Sequence, residues 1–385
     1  MSASVHHPGL RPITRLTILL LALAPLALAV PVWMQPNPLR ENSSMLTPLP
    51  ARSPGSRLTV SDTRPIVGFA INAHHISDLP AYLASVDHIA DLGANALIVL
   101  TPMIQPYVNS NRMSYVPEKC ATDAQLVAIL KRARERGLLT TLLPIVLIEH
   151  PGEKDWRGVI EPADWDNWWK SYDEFTDRFV EIANAADVDV LAVGSELNST
   201  EDQHDRWQRV VDRVRKSFKG QITYSANWDR YDKIDLWSMV DVMCVSSYFE
   251  LMRDDPNASE AQLVQAWGSE REALLKNAAQ WNRPLLLSEV GYPSVSWASA
   301  HPWNYVTEVG ATADHEAQAR CWRAFFKAWG DTFANREGPA AGFFGYCWSP
   351  YYHGDAWDTG YGIEGKPAYE IVKSGFAKIR GASAD

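Results

Sequence analysis

The sequence predicts an α/β fold, a single (β/α)8 TIM barrel preceded by an N-terminal signal or anchor segment. Three observations carry this. Short apolar runs alternate with helical stretches eight times between Ile66 and Ile379. The runs are apolar throughout rather than at every second residue, as parallel strands covered on both faces require. Eight such units fit the roughly 320 residues after Pro65, the size of one barrel with some long loops. A doubly wound sheet is the structural rival, but it rarely needs eight such regular units. No second domain and no short-period repeat stands out.

The elements follow in order. Ile66–Asn72 reads as the first strand. Leu79–Leu92 reads as an amphipathic helix stopped by Gly93, a residue suited to a left-handed C-terminal cap. Ala94–Thr101 is the second strand. Asp123–Arg136 is the next helix, with Thr122 as its N-cap and Gly137 beyond its end. Leu138–Ile148 is the third strand, followed by a polar loop with Lys154, Asp155, Trp156 and Arg157. Asp164–Ala186 is a long helix and Val188–Ser195 the fourth strand. The Glu201–Phe218 helix follows, bounded by Ser199 and Thr200 before it and Gly220 after it. Ile222–Asn227 is the fifth strand, Tyr231–Met239 a short helix, Val240–Ser247 the sixth strand and Ser259–Gln280 a helix. Leu285–Ser288, the Asp314–Phe333 helix, Ala341–Trp348 and the Pro367–Ile379 helix complete the eight units. The loops Ser294–Ala313 and Ser349–Lys366 are long enough to close one end of a cleft.

The N-terminus reads as an address. Arg11 and Arg15 precede an apolar stretch from Leu16 to Met34 that contains Pro25. A basic head before a Leu/Ala run is a secretory pattern, and Ala27-Leu28-Ala29 is a small-residue cleavage site. The stretch is also nearly long enough to span a bilayer, so a retained membrane tether is the rival. Residues 1–34 are thus expected to direct export, cleaved or anchored. Residues 35–64, rich in Pro, Ser, Asn and Arg, read as a flexible linker, and the catalytic barrel is expected over 65–385.

Bulk composition narrows the partners. The 385 residues are 46% hydrophobic and 21% charged, which is ample for a large core. A net charge of -10 with a pI of about 5.5 repels phosphate backbones, so no nucleic acid is expected and a neutral substrate suits the surface. A monomer is expected. The 16 Trp, 14 Tyr and 11 Phe fill cores and helix packing, and their excess also fits a cleft that stacks on sugar rings. Cys120, Cys244, Cys321 and Cys347 form no C-x-x-C pair, which excludes a zinc knuckle or a thioredoxin-like motif. Cys244 and Cys347 lie inside strand runs and read as small buried hydrophobes. His74, His75, His150, His301 and His353 are the candidates for a metal cluster. The first strand lacks H-x-H and no H-E-x-x-H occurs, so these read as loop or subsite residues and neither a metal nor an organic cofactor is expected.

Chemistry in this fold sits at the C-terminal ends of the strands. Those ends carry Asn72, His74 and His75, then Glu149 and His150, then Ser195, Glu196 and Asn198. They continue with Asn227 and Trp228, Tyr248, Glu289 and Tyr292, and Trp348 and Tyr351. Two of these stand out. Glu196 closes the apolar run Val190–Ser195, and Glu289 closes Pro284–Ser288. Two carboxylates far apart in sequence but on one rim are what glycosidic bond cleavage needs. Glu196 taken alone also reads as a first-turn helix carboxylate favoured by the helix dipole.

Carboxylates at the ends of strands four and seven resemble the clan of retaining glycoside hydrolases with barrel folds. Four motifs tighten the likeness. They are Gly194-Ser195-Glu196-Leu197, Thr223-Tyr224-Ser225-Ala226-Asn227-Trp228, Val245-Ser246-Ser247-Tyr248-Phe249 and Ser288-Glu289-Val290-Gly291-Tyr292. In this order they are similar to glycoside hydrolase family 113. The resemblance implies a retaining enzyme of β-mannanase or β-mannosidase type, acting on a β-linked polysaccharide or oligosaccharide without a cofactor. It implies Glu196 as acid/base, its pKa raised by Glu289 and partial burial, and Glu289 as the ionised nucleophile. The two carboxyls would stand about 5–5.5 Å apart. Tyr248 would donate to Glu289, and Trp348 would floor the subsite under the reacting sugar. Trp228 and Tyr292 would line that subsite, and Asn227 would bind a sugar hydroxyl. The clan places Asn directly before the acid/base, against the sugar 2-hydroxyl, whereas this chain has the shorter Ser195. Tyr248 and Trp348 also read as packing residues, and Asn227 and Trp228 stay open. Another β-glycan specificity, or a carbohydrate-binding barrel without turnover, are the alternative functions.

Overall fold

The computed structural model describes residues 49–304, 311–351 and 354–381. The expected signal or anchor segment (1–34), the first part of the expected linker and His353 lie outside these residues. Among the described residues no helix is long and apolar enough to cross a membrane.

Eight parallel strands close into a barrel in chain order. They are β1 (Ile66–Asn72), β2 (Ala96–Gln105), β3 (Leu139–Ile148), β4 (Val190–Ser195), β5 (Gln221–Asn227), β6 (Val242–Ser246), β7 (Leu285–Val290) and β8 (Ala340–Trp348). The helices are α1 (Val60–Thr63), α2 (Leu79–Asp91), α3 (Asp123–Glu135), α4 (Trp165–Ala185), α5 (His204–Ser217), α6 (Glu260–Trp281), α7 (His315–Ala334) and α8 (Ala368–Gly381). The strands are apolar throughout because both of their faces are covered. Ile66, Ala70, Ile98, Val190 and Phe344 fill the barrel interior, while Val67, Phe69, Leu97, Leu191 and Phe343 meet the surrounding helices.

Local chemistry sets the helix ends. The side chains of Asp78, Thr122, Asp164, Ser259 and Asp314 each accept from an amide of the first turn. Thr122 with Gln125 and Ser259 with Gln262 form full capping boxes.

The expected boundaries shift in four places. β2 runs on to Gln105, where its partner β3 is equally long and pairs with it residue for residue. α5 begins at His204 because Asn198–Thr200 forms a separate 3-10 turn. The helix expected at Tyr231–Met239 is absent. The chain there turns, makes a 3-10 turn at Leu236–Ser238, and plugs the gap with buried Trp237, whose indole N–H donates to the Tyr231 carbonyl at 2.9 Å. Finally, the described part of the expected linker, residues 49–64, is packed beneath the barrel. Arg52 forks onto fully buried Asp189 with bonds of 2.5 and 2.6 Å. Asp189 also accepts from the Leu58 and Thr140 amides. A basic residue in a Pro/Ser-rich stretch reads as solvated until its buried partner, more than a hundred positions away, is placed.

The aromatic excess is mostly structural. Trp168, Trp169, Tyr172, Trp207 and Tyr224 form one edge-to-face cluster around β4, and Trp267, Trp322, Trp329 and Phe325 another near β7 and β8. Among the described residues the exposed aromatics are few, and all lie on loops that follow strands: Tyr107, Trp303, Tyr351 and Trp357.

Candidate active site

β4 delivers Glu196 through a constrained turn. Gly194 lies against Trp207, Tyr224 and Tyr172, and a Cβ there would come within 2.7 Å of the Trp207 ring. Only glycine lets the strand close onto that cluster. The β4–β5 register slips between Ala192 and Ser195, and Glu196 has a left-handed backbone at φ 52. Non-glycine residues take that conformation rarely, and chiefly at functional sites. Two bonds hold it here. The Glu196 amide donates to the Ser225 carbonyl at 2.8 Å, and the Leu197 amide donates to the Tyr224 hydroxyl at 2.9 Å. That hydroxyl donates onward to buried Glu201, which also pairs with Arg230 at 3.3 Å. Burial holds the Glu201 carboxyl above the usual range despite these partners.

β7 delivers Glu289. Gly291, two residues on, sits so close to β8 that a Cβ would stand 2.3 Å from the Tyr346 carbonyl oxygen. Ser246 of β6 is the register partner of Glu289, and its hydroxyl donates to Glu196 Oε1. Ser246 thus sits beside Glu289 in the sheet while its side chain bonds to Glu196. The Tyr248 hydroxyl donates to Glu289 Oε2 at 2.7 Å. Glu196 and Glu289 are 7% and 4% exposed, so both carboxyls are withdrawn from water.

The electrostatics raise Glu289, which the sequence reading expected to be ionised. Burial and the neighbouring Glu196 charge push the Glu289 carboxyl up to about 7, against the opposing pull of the Tyr248 hydrogen bond and the Arg157 charge. A cation, meanwhile, lies on Glu196. The Arg157 guanidinium donates from Nη2 to Glu196 Oε2. Arg157 comes from the Arg157–Val159 3-10 turn between β3 and α4. His74, just past β1, faces the same guanidinium, and burial with that charge lowers the imidazole pKa.

The other expected site residues divide. Ser195 is buried with its hydroxyl lacking a partner. Asn227 is the register partner of Ser246 at the end of β5, and its side-chain oxygen accepts from the Trp228 amide. Trp228 is half-buried and edge-on to Phe249. Two expectations fail. Tyr292 lies in the shell between barrel and helices, where it accepts from the Trp267 indole at 2.9 Å and meets Trp322 edge-on. Trp348 lies in that shell too, edge-on to Phe69 and beside His88 of α2. Tyr346 stands at the inner face of β8 instead, accepting from Asn72 at 2.9 Å and lying edge-on to Tyr248. The β8 run alone does not show which aromatic turns inward, because its register shifts against both neighbours.

Arg157, Ser246 and Tyr346 were not singled out from sequence. Ser246 had a signal, since it lies two residues before Tyr248 in the Val-Ser-Ser-Tyr motif. Arg157 had none, because a loop cation announces no partner. Glu289 Oε1, Arg157 Nε and Ser195 Oγ are all buried without a protein hydrogen bond. Buried polar atoms are normally satisfied, and three at one barrel mouth suit a ligand rich in hydroxyls. The histidines scatter instead, His75 to the Pro117 carbonyl, His150 against Tyr107 and His301 beside Glu250. Among the described residues no group of three His, Cys, Asp or Glu could hold a metal ion. The four cysteines are unpaired.

Two buried glutamates at the C-terminal rim of a closed parallel barrel are the pair that the glycoside hydrolase class uses, and the family match places the chain in that class. The family follows from the sequence. The model of Glycoside Hydrolase Family 113 matches residues 77–366, and the chain belongs to that family. Among solved structures, the chain is similar to a family 113 β-mannanase from Alicyclobacillus acidocaldarius in complex with ManMIm. The TM-score is 0.73 and the identity 23%, covering 83% of this chain and 100% of that one. A second family 113 β-1,4-mannanase gives a TM-score of 0.71 at 21% identity, covering 82% and 99%. A family 5 mannosidase from Rhizomucor miehei gives 0.59 at 11% identity, covering 86% and 99%. At these identities the structures share the fold. No curated protein matches the sequence.

Proposed function

We propose that this enzyme is a retaining β-mannanase that works by double displacement. The observation that carries the reading is the meeting of Glu196 and Glu289 in one buried pocket, with Ser246 beside Glu289 and bonded to Glu196, and Tyr248 orienting Glu289. Glu289 attacks the anomeric carbon while Glu196 protonates the departing oxygen. Glu196 then takes a proton from the water that releases the glycosyl enzyme. Tyr248 keeps one Glu289 oxygen fixed, and the other, Oε1, has no protein partner and is the attacking atom. Ser246 suits the acid/base role. Its hydroxyl can donate to an ionised Glu196, or donate to the Ala226 carbonyl at 3.2 Å and accept from a protonated one. Ser195 lies directly before the acid/base with its hydroxyl unpartnered, which supports assigning it to the sugar 2-hydroxyl. The printed activities of the two family 113 relatives support mannan as the substrate class. The basic-then-apolar N-terminus supports an exported enzyme.

The test is hydrolysis of a mannan and β-glycan panel by the parent, Glu196→Gln and Glu289→Gln. Parent activity on β-mannan, with at least about a thousandfold loss in each variant, is the expected result. Proton NMR of early product should show the substrate's own anomer. An inverted anomer, or variants as active as the parent, would sink the assignment. Binding by the parent without turnover would mark a carbohydrate-binding barrel instead.

A further inference from the structure

Beside the serine that suits its role, Glu196 carries a cation that a general acid does not need. Ser246 donates to Oε1 and Arg157 to Oε2, so each oxygen already carries a donor and the one on Oε2 is a cation. A general acid must carry its proton toward the leaving group, and a guanidinium, which only donates, blocks the place where that proton would sit. Arg157 is also incompletely satisfied, since its Nε is buried without a partner. It belongs to a loop rather than a strand. Its neighbours Glu153 and Lys154 are exposed, and the turn that carries it spans only Arg157–Val159.

We propose that Arg157 is a substrate-released clamp: in the free enzyme it holds Glu196 as a carboxylate, and on glycan binding it passes to hydroxyls of the sugar, freeing Oε2 to take the catalytic proton. The inference rests on the double-displacement reading above and adds a residue that gates it. Charge supports the geometry. Burial and the neighbouring Glu196 charge raise Glu289, the group that must be ionised to attack, to about 7 in the free site. A cation on Glu196 favours its charged form, and passing that cation to the substrate removes this bias. The other groups that face Arg157 and Glu196 are Glu289 from β7, Tyr248 past β6, Tyr346 from β8 and His74 past β1. Behind Glu196, Glu201 and Arg230 reach it only through Tyr224.

The test compares the pH dependence of kcat/KM, which reports the free enzyme, with that of kcat, which reports the complex. The enzyme is the full chain, and the substrate is the glycan that the parent cleaves. In the parent, the alkaline limb of kcat/KM should lie at lower pH than that of kcat, because only the free enzyme has Arg157 on Glu196. In Arg157→Ala, the kcat/KM limb should rise by about one pH unit or more, while the kcat limb stays in place. Arg157→Lys should restore part of the separation and confirms that the fold tolerates change here. Parent limbs that coincide, or limbs that move together in the alanine variant, would show that Arg157 never leaves Glu196 and would overturn the clamp. So would folded but inactive alanine and lysine variants, which would make Arg157 part of the chemistry throughout. A parent that cleaves no glycan contradicts the proposed function itself, a different failure from an active enzyme whose limbs do not separate.

Discussion

At the residue scale, the site shows a conflict between stability and chemistry. Glu289 is buried beside a second carboxylate, and its pKa rises from about 4.5 to about 7. A carboxyl raised in the folded state binds its proton more tightly there than in the unfolded chain. Its cost to stability is therefore absent below about pH 4.5, grows as the pH rises, and is complete above about 7. Glu289→Gln removes that cost. The variant should be more stable than the parent at pH 8, on the order of 2 kcal/mol, with the gain shrinking toward zero at pH 4. Denaturant melts at the two pH values measure this. Equal gains at both would mean that the carboxyl keeps an ordinary pKa. Glu196 shows a second form of the same conflict, a left-handed backbone held in place by the Ser225 carbonyl and the Tyr224 hydroxyl.

At the element scale, the segment before β1 acts as a strap beneath the barrel. Arg52 and Arg134 converge on the β3–β4 edge, where Arg52 pairs with Asp189 and Arg134 donates to the Asp187, Ser53 and Ser56 carbonyls. Arg52→Ala removes the bidentate partner of buried Asp189 and leaves only Arg134, 3.9 Å away. Breaking a buried pair from one side costs about 3 kcal/mol or more, so this variant should lose that much in a urea melt. Because the strap lies at the opposite end of the strands from Glu196, the pH profile of kcat/KM should not move. A loss under about 1 kcal/mol would return residues 49–64 to the role of a loose linker.

At the scale of the whole molecule, the barrel separates two jobs. Its flanks are packed with tryptophan and its mouth carries the exposed aromatics. Trp303 is anchored there, with its indole N–H donating to Glu250 at 3.0 Å while the ring remains 45% exposed. The loops beyond β7 and β8 are tied by buried Lys366, which donates to Ser294 Oγ and the Gly360 carbonyl and pairs with Asp358 at 2.9 Å. A fixed, half-exposed indole suits a sugar ring bound away from the bond being cut. Trp303→Ala should raise KM for polymeric mannan by up to about tenfold, an aromatic contact of about 1.4 kcal/mol. The shortest cleaved oligosaccharide should be affected less, and equal effects on long and short chains would argue against a distal contact. The eight alternating units, the capping residue Thr122 and the two glutamates at run ends were legible in the chain, because strand burial, helix capping and run ends are local patterns. The packed strap, the missing fifth helix, the outward turn of Trp348 and Tyr292, and Arg157 on Glu196 were not. Each depends on which face or partner a residue meets, and that is set by strand register and by contacts across tens to hundreds of positions. The sequence by itself determined the barrel and put two glutamates at its C-terminal rim. The tertiary structure alone decided which aromatics face inward, which carboxyl is raised and which cation lies on the other, because burial and charge proximity exist only once the strands have closed.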